Sequence, residues 1–370
     1  MSEIQIPAEL RPLDGRFGSG PSKIRPEAVA ALYEAAAGFL GTSHRQATVR
    51  SKVGRLREGV AQLFDLPDGY EVVLGVGGTT VFWDALAFGL IERRSQHTVH
   101  GEFSAKCAAA VKAAAHLEDP EVIEAEPGTQ AHPRASDVDL YALIHNETST
   151  GVASEIRRPS DRGLVAVDAT SAAAGLPISA AESDVYYFSP QKGFASEGGL
   201  WVALCSPPAI ERIERIASSD RAIPPSLDLS IALDNSRKDQ TFNTPALATV
   251  FLMVEQIEWL LANGGLEWAI GRCARSADIL YGWANSSAYA RPFVADPADR
   301  SNVVGTIDFD TGISAPEIAK VLRANGIIDT EPYRKLGRNQ LRIGMYPAVE
   351  PSDVELLTKA IDYVAGALSS

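Results

Sequence analysis

Val185-Tyr186-Tyr187-Phe188-Ser189-Pro190-Gln191-Lys192-Gly193-Phe194-Ala195-Ser196 begins as four apolar residues and turns polar at once. A short apolar run bounded by turn formers reads as a buried strand, which leaves Lys192 at a strand end. A second run, Gly199-Leu200-Trp201-Val202-Ala203-Leu204, follows closely, and upstream Val165-Ala166-Val167 ends in Asp168. Two consecutive buried strands thus deliver an acid and an amine to what reads as one sheet edge. In open α/β sheets the carboxyl edge is where ligands bind. Taken alone, Lys192 is better read as a solvated lysine in a polar loop; its neighbours must decide.

Working outward, residues 70–205 alternate short β-rich runs with alanine-rich stretches suited to helices. This is the pattern of an α/β domain with a mainly parallel, mixed sheet. Glu71-Val72-Val73-Leu74 reads as the first strand, Gly75-Val76-Gly77-Gly78-Thr79-Thr80 as a glycine-rich turn, and Val81 to Phe88 as a helix on the sheet. Such a turn either cradles an anion with its N–H groups at a helix N-terminus or is a tight bend that needs glycine. Asp139 to Ile144 reads as another strand, ending in the polar group His145-Asn146-Glu147-Thr148-Ser149-Thr150-Gly151. Both a site and a capped turn are compatible with that composition. The alanine-rich stretch 108–115 reads as a packed helix.

After Asn243-Thr244-Pro245, residues 246–262 form a long apolar periodic stretch stopped by Asn263-Gly264-Gly265. This suggests a large domain over 23–262, preceded by an N-terminal segment, 1–22, that contributes to the site. A small α+β domain over 263–370 would contain strands at Val303–Phe309 and Gln340–Met345. Its helices would span Ala315–Asn325 and a final stretch opened by the capping-box pair Ser352 and Glu355.

The 370 residues carry a formal net charge of −13, which argues against broad binding to nucleic acid or an anionic membrane surface. No apolar run approaches the roughly 20 residues of a membrane span. Cys107, Cys205 and Cys273 are widely spaced and odd in number, so neither a disulfide framework nor a metal site is expected. The absence of a secretory pattern at the N-terminus points to the cytoplasm.

A lysine and an acid at adjacent strand ends suit pyridoxal phosphate: the amine forms an imine, and the acid keeps the ring nitrogen protonated. The other strand ends supply Phe103 to stack on the ring, Thr148 to bond near its 3-oxygen, and Gly78, Thr79 and Gln191 to hold the phosphate. The segments Phe17-Gly18-Ser19-Gly20-Pro21, Gly41-Thr42-Ser43-His44-Arg45, His145-Asn146-Glu147-Thr148, Asp168-Ala169-Thr170-Ser171, Pro190-Gln191-Lys192 and Phe242-Asn243-Thr244-Pro245 together resemble the class V aminotransferases. Within that family they are most similar to the phosphoserine aminotransferase branch of actinobacterial type, over essentially the whole chain.

The resemblance implies a fold-type I transferase and a homodimer with shared active sites, in which Asn243 and Thr244 reach the neighbour's cofactor phosphate. It implies O-phospho-L-serine and 2-oxoglutarate as substrates, with 3-phosphooxypyruvate and L-glutamate as products. Action on 4-phosphohydroxy-L-threonine in pyridoxine synthesis is a further activity within its range. Arg342 matches the arginine that pairs the substrate carboxylate, a task for a bidentate donor. Ser19 approaches that carboxylate, and His44 and Arg45 match a receptor for the substrate phosphate or distal carboxylate. Two departures stand out. Thr79 occupies a position where other members have arginine, and Tyr333-Arg334-Lys335-Leu336-Gly337-Arg338 replaces the usual His-Arg pair, leaving Arg334, Lys335 and Arg338 as candidates to complete the phosphate site. Another class V transaminase, of the alanine or serine with glyoxylate type, is the nearest alternative; a non-catalytic binding protein of the same fold is a second.

Overall fold

The alternation of residues along each central strand sorts them between two cores. In the computed structural model, which describes residues 4–369, Val165 and Val167 of one strand join one apolar cluster while Leu164 and Ala166 join another. Tyr186 and Phe188 face the first cluster, and Val185 and Tyr187 the second. A strand covered on both faces must be apolar throughout, which is why these segments read as continuous hydrophobic runs. Residues 1–3 and 370, at the outer ends of the expected terminal segments, lie outside the described residues.

The strands are β1 (Glu71–Val76), β2 (Ser95–Val99), β3 (Glu121–Glu124), β4 (Leu140–Ile144), β5 (Asn146–Glu147), β6 (Val152–Ala153), β7 (Leu164–Asp168), β8 (Val185–Phe188), β9 (Leu200–Cys205), β10 (Ala290–Pro292), β11 (Val304–Phe309) and β12 (Gln340–Gly344). Seven form the large sheet in the order β1-β9-β8-β7-β4-β2-β3. β9 alone runs opposite to the other six strands there. The mainly parallel mixed sheet expected from the sequence is therefore present, and the carboxyl ends of β1, β2, β4, β7 and β8 share one edge.

The antiparallel strands β10, β11 and β12 form a second sheet. With the helices Gly265–Ser286, Ala315–Ala324 and Pro351–Ser369 it encloses a third apolar cluster. Ile6 and Phe17 belong to that cluster, and Phe17 exchanges backbone hydrogen bonds with Ile328 and Gly344. The N-terminal segment thus packs on the C-terminal core before crossing to the edge of the large sheet. No helix among the described residues is long and apolar enough to cross a membrane.

Two local expectations need correction. The last helix opens at Pro351, with the carbonyl of Glu350 accepting from the N–H groups of Asp353 and Val354, so Ser352 lies within the first turn and does not cap it. Proline at the first helical position needs no hydrogen bond for its nitrogen and outcompetes the serine. The helix Glu102–Lys112 ends before Ala113–Ala115, so alanine propensity does not carry it through the whole stretch.

Candidate active site

The carboxyl edge of the large sheet borders a cavity of about 370 Å³, enclosed on its other sides by the N-terminal segment and by residues from the C-terminal core. Lys192 enters it from the loop after β8 and Asp168 from the last position of β7. Both are buried, as is Thr148. Lys192 Nζ donates to Thr148 Oγ1 at 2.8 Å; Thr148 donates onward to Ser171 Oγ at 2.9 Å, and Ser171 to the carbonyl of Asn146 at 2.8 Å. Burial lowers the lysine to about 8, with Asp168 opposing and Arg342 reinforcing that shift. Near neutral pH a useful fraction of the amine is consequently free to act as nucleophile or base.

Asp168 is held from two sides. Its Oδ1 accepts from the N–H of Thr170 at 3.0 Å and the hydroxyl of Thr170 at 2.6 Å, while Oδ2 accepts from Trp83 Nε1 at 2.9 Å. Burial pushes the carboxyl upward, whereas these hydrogen bonds and the Lys192 charge pull it down. A buried acid so furnished can serve as a charged partner for a cationic ligand group.

The backbone around the lysine is matched to it. A Cβ on Gly20 would lie 2.6 Å from Lys192 Cε, and Ser22 ties the N-terminal loop down by donating to the Lys192 carbonyl at 2.7 Å. At the end of β1, Gly77 and Gly78 take φ of 108° and 77°, the left-handed region that glycine tolerates. They lead into the helix Thr79–Gly89, whose first residues Thr79 and Thr80 line the cavity. A helix N-terminus there offers N–H groups and a positive dipole end to an anion. The Thr79 N–H itself is taken by Ser189 Oγ at 2.9 Å.

Phe103 lies across the cavity, its ring centroid 5.4 Å from Lys192 Nζ and 5.8 Å from the ring of Tyr333. Its helix is fixed by Glu147, a fully buried carboxylate that accepts from the N–H groups of Phe103 and Ser104 and from the hydroxyls of Ser104 and Ser149. Arg342, on β12, donates to the Thr148 carbonyl at 3.2 Å and lies 5.4 Å from the Tyr333 ring. Three buried polar atoms bordering the cavity have no hydrogen-bond partner among the described residues: Asn146 Oδ1, Gln191 Oε1 and Arg342 Nε. Such orphans are costly unless a ligand or water satisfies them.

Of the residues singled out from the sequence, Ser19, Thr79, Phe103, Thr148, Asp168, Gln191, Lys192 and Arg342 line this one cavity, and Gly78 turns the chain beside it. His44, Arg45, Asn243, Thr244 and Arg334 do not line it. Four of these instead gather elsewhere: Thr244 Oγ1 and His44 Nδ1 are 3.2 Å apart, with exposed Arg45 and Asn243 next to them in the chain. Among the three cations left open near β12, Lys335 pairs with Glu102 and Arg338 with Asp308. Arg334 is exposed and its guanidinium has no partner among the described residues. Sequence reasoning missed Trp83, Tyr333, Asn146 and the hydroxyls of Thr170 and Ser171. The last two lie two and three positions after Asp168, a spacing that itself signals side-chain bonding to a local turn.

The Aminotransferase class-V family model matches residues 17–357. The chain belongs to the class-V aminotransferase family. Among its relatives, a putative phosphoserine aminotransferase of Mycolicibacterium paratuberculosis is 60% identical over 365 residues, covering 98% of each chain. A phosphoserine aminotransferase of a Nocardioides species is 59% identical over 366 residues, again covering 98% of each. Among solved structures, a phosphoserine aminotransferase from Cytophaga hutchinsonii superposes with a TM-score of 0.87 at 22% identity, over 95% of this chain and 99% of that one. One from Bacillus circulans gives 0.83 at 19% identity, over 96% and 99%. These structural likenesses establish the fold, the fold-type I architecture expected of a class-V aminotransferase.

Proposed function

We propose that this class-V aminotransferase uses pyridoxal phosphate to move an amino group reversibly between O-phospho-L-serine and 2-oxoglutarate, giving 3-phosphooxypyruvate and L-glutamate on the route to serine. The observation that carries this reading is the buried Lys192 and Asp168 pair in one cavity of a chain 60% identical to a putative phosphoserine aminotransferase. The residues present fit the cofactor. Asp168 suits a ring nitrogen, Phe103 a ring face, and the Gly78–Thr79 turn with Gln191 a phosphate. The orphaned Gln191 Oε1 and Asn146 Oδ1 supply acceptors for the donors of bound groups or water.

Bound, pyridoxal phosphate supplies an aldehyde carbon that accepts an amine and a ring that accepts electrons. Lys192 would hold that carbon until a substrate amine replaces it, and the freed lysine amine would move the substrate Cα proton as general base and acid. Asp168 would hold a proton at the ring nitrogen. Arg342 pairs the substrate carboxylate in bidentate fashion, with Ser19 beside it. The second acid enters the same cavity after the first product leaves, which gives ping-pong kinetics.

The phosphate end is assigned to a homodimer. His44, Arg45, Asn243 and Thr244 form one solvent-facing cluster apart from their own cavity, which supports their serving the partner's cavity, with Asn243 and Thr244 at the cofactor phosphate and His44 and Arg45 at the substrate phosphate. Tyr33 and Phe242, large and exposed on this single chain, supply apolar surface for such contact. Arg334 is the remaining unpaired cation and completes the phosphate receptor in this reading. The three free, buried cysteines suit the reducing cytoplasm proposed as its location. The deciding experiment is the absorbance of the purified protein titrated with phosphoserine and with serine. A near-visible cofactor band that shifts at far lower phosphoserine than serine is expected; equal response to both would instead favour a transaminase for unphosphorylated substrates.

A further inference from the structure

We propose that Trp83 is a positioning residue for Asp168, its indole N–H fixing the carboxylate in the orientation and charged form that a protonated ring nitrogen requires. This rests on the pyridoxal phosphate reading above. A buried indole N–H needs an acceptor, and most find a backbone carbonyl or a neighbouring side chain in the core. Here the acceptor is the carboxylate at the centre of the site, 2.9 Å away and far removed in sequence. Trp83 also borders the cavity itself.

The two Asp168 oxygens are divided between separate supports. Thr170, in the turn that follows β7, holds Oδ1, so this half moves with the strand that carries the acid. Trp83 alone of the described residues donates a side-chain hydrogen bond to Oδ2. Without it the carboxylate would be held at Oδ1 alone, and burial would favour taking up a proton at the unsupported Oδ2. A protonated acid cannot stabilise a charged ring nitrogen. The indole N–H therefore acts against the acid's own desolvation.

Trp83 lies one helical turn from Thr79, in the helix that starts at the glycine-rich turn. Its neighbour Phe82 locks that helix to the sheet, stacked on Tyr187 at 4.3 Å and edge-on to Trp201 at 5.0 Å. One rigid helix therefore carries both the N-terminus that would hold the phosphate and Trp83, which holds the acid that would face the ring nitrogen. Spacing between those two contacts is set by a single element.

The test is Trp83→Phe, which keeps most of the ring volume and removes the donor. In the protein loaded with isotopically labelled pyridoxal phosphate, the pyridine-nitrogen chemical shift should move toward its unprotonated value. Turnover should fall roughly tenfold, as for one hydrogen bond to a charged group, with KM within about twofold of wild type. In an Asp168→Asn background the same change should cost less than about twofold, because coupled residues are not additive. An unmoved nitrogen signal in loaded W83F, or full additivity with D168N, overturns the inference and leaves the cofactor reading intact. A wild-type protein that takes up no cofactor overturns both. Should W83F fail to fold, the indole N–H resonance of Trp83 decides: it shifts in D168N if the bond operates, and indifference to D168N overturns it.

Discussion

Lys192 and Arg45 are both cations assigned to one reaction, yet Lys192 is buried and bonded to Thr148 while Arg45 stands in solvent with its guanidinium unpartnered among the described residues. The same contrast divides their surroundings. Lys192, Thr148 and Ser171 form a hydrogen-bond chain ending on the Asn146 carbonyl, and Asp168 is held separately by Thr170 and Trp83, all within one chain. Around Arg45, His44 Nδ1 lies 3.2 Å from Thr244 Oγ1, and Asn243 and Thr244 are exposed. The cofactor end needs a depressed lysine and a charged acid, which only burial and fixed donors provide. The anion end must admit and release two different acids, and solvent-exposed cations serve there without the desolvation cost of a buried ion. Under the proposed homodimer, the contrast separates chemistry built within one chain from specificity built between two.

Replacing Lys192 tests the buried half most severely. Lys192→Met should lose transamination by about ten-thousandfold or more, since proton transfer and amine exchange both disappear. The same variant without cofactor should be more stable than wild type. The folded-state lysine is lowered to about 8 from 10.5. Between those values the unfolded chain binds a proton that the folded chain has lost, so wild-type stability rises with pH through that window. Below about pH 8 the buried charge costs the cofactor-free protein roughly 3 kcal/mol at 1.36 kcal/mol per unit. Denaturant melts should show K192M ahead at pH 7, with the gap shrinking toward pH 10.5. A constant gap would mean that the amine is not desolvated.

The exposed half breaks differently. Arg45→Ala should raise KM for phosphoserine by about tenfold to thirtyfold, the loss of one charge-assisted contact, and change that for serine far less. Mixing it with Lys192→Ala gives the sharper result. If Arg45 serves the partner's cavity, the mixed dimer has one site with both residues intact, and random reassortment should restore about a quarter of wild-type activity at low phosphoserine. If Arg45 serves its own cavity, mixing restores nothing and the division between chain and dimer collapses.

The same contrast governs what could be read in advance. Lys192 and Asp168 were legible because strand ends are marked locally, by an apolar run that stops at a polar residue, and parallel pairing then brings successive ends together. The sheet followed from the same runs, because burial on both faces leaves no polar alternation to confuse them. Trp83 was not legible: inside Val81–Phe88 a tryptophan looks like core, and its bond to Asp168 depends on how the helix lies on the sheet. Glu147 was quoted as part of a polar cluster, but its work as the anchor of the Phe103 helix comes from contacts with residues more than forty positions upstream. The start of the last helix was misread because Ser352 has the right spacing to Glu355 while Pro351 has the stronger claim on the first turn.

The smallest expected effects concern the three cations that spacing could not separate. Lys335 is exposed and paired with Glu102, itself close to Lys106, so removing Lys335 should change KM for phosphoserine by less than about twofold, as for other surface pairs. Arg338 is committed elsewhere. Its partner Asp308 is buried and also accepts from Gln340 at 2.9 Å, so Arg338→Ala should appear as lost stability, about 1 to 3 kcal/mol for a carboxylate left without its cation, with KM nearly unchanged. Arg334 has no competing partner among the described residues, so Arg334→Ala should leave the melting temperature alone and raise KM for phosphoserine about fivefold, as expected for a solvated contact worth about 1 kcal/mol. Measuring KM and melting temperature for all three variants separates the roles, because pairing within the fold and availability to substrate exclude each other for one guanidinium. A KM effect confined to Arg338 would mean that its pair with Asp308 opens when substrate binds, and would move the anion receptor from the solvent-facing side of the site into the C-terminal sheet.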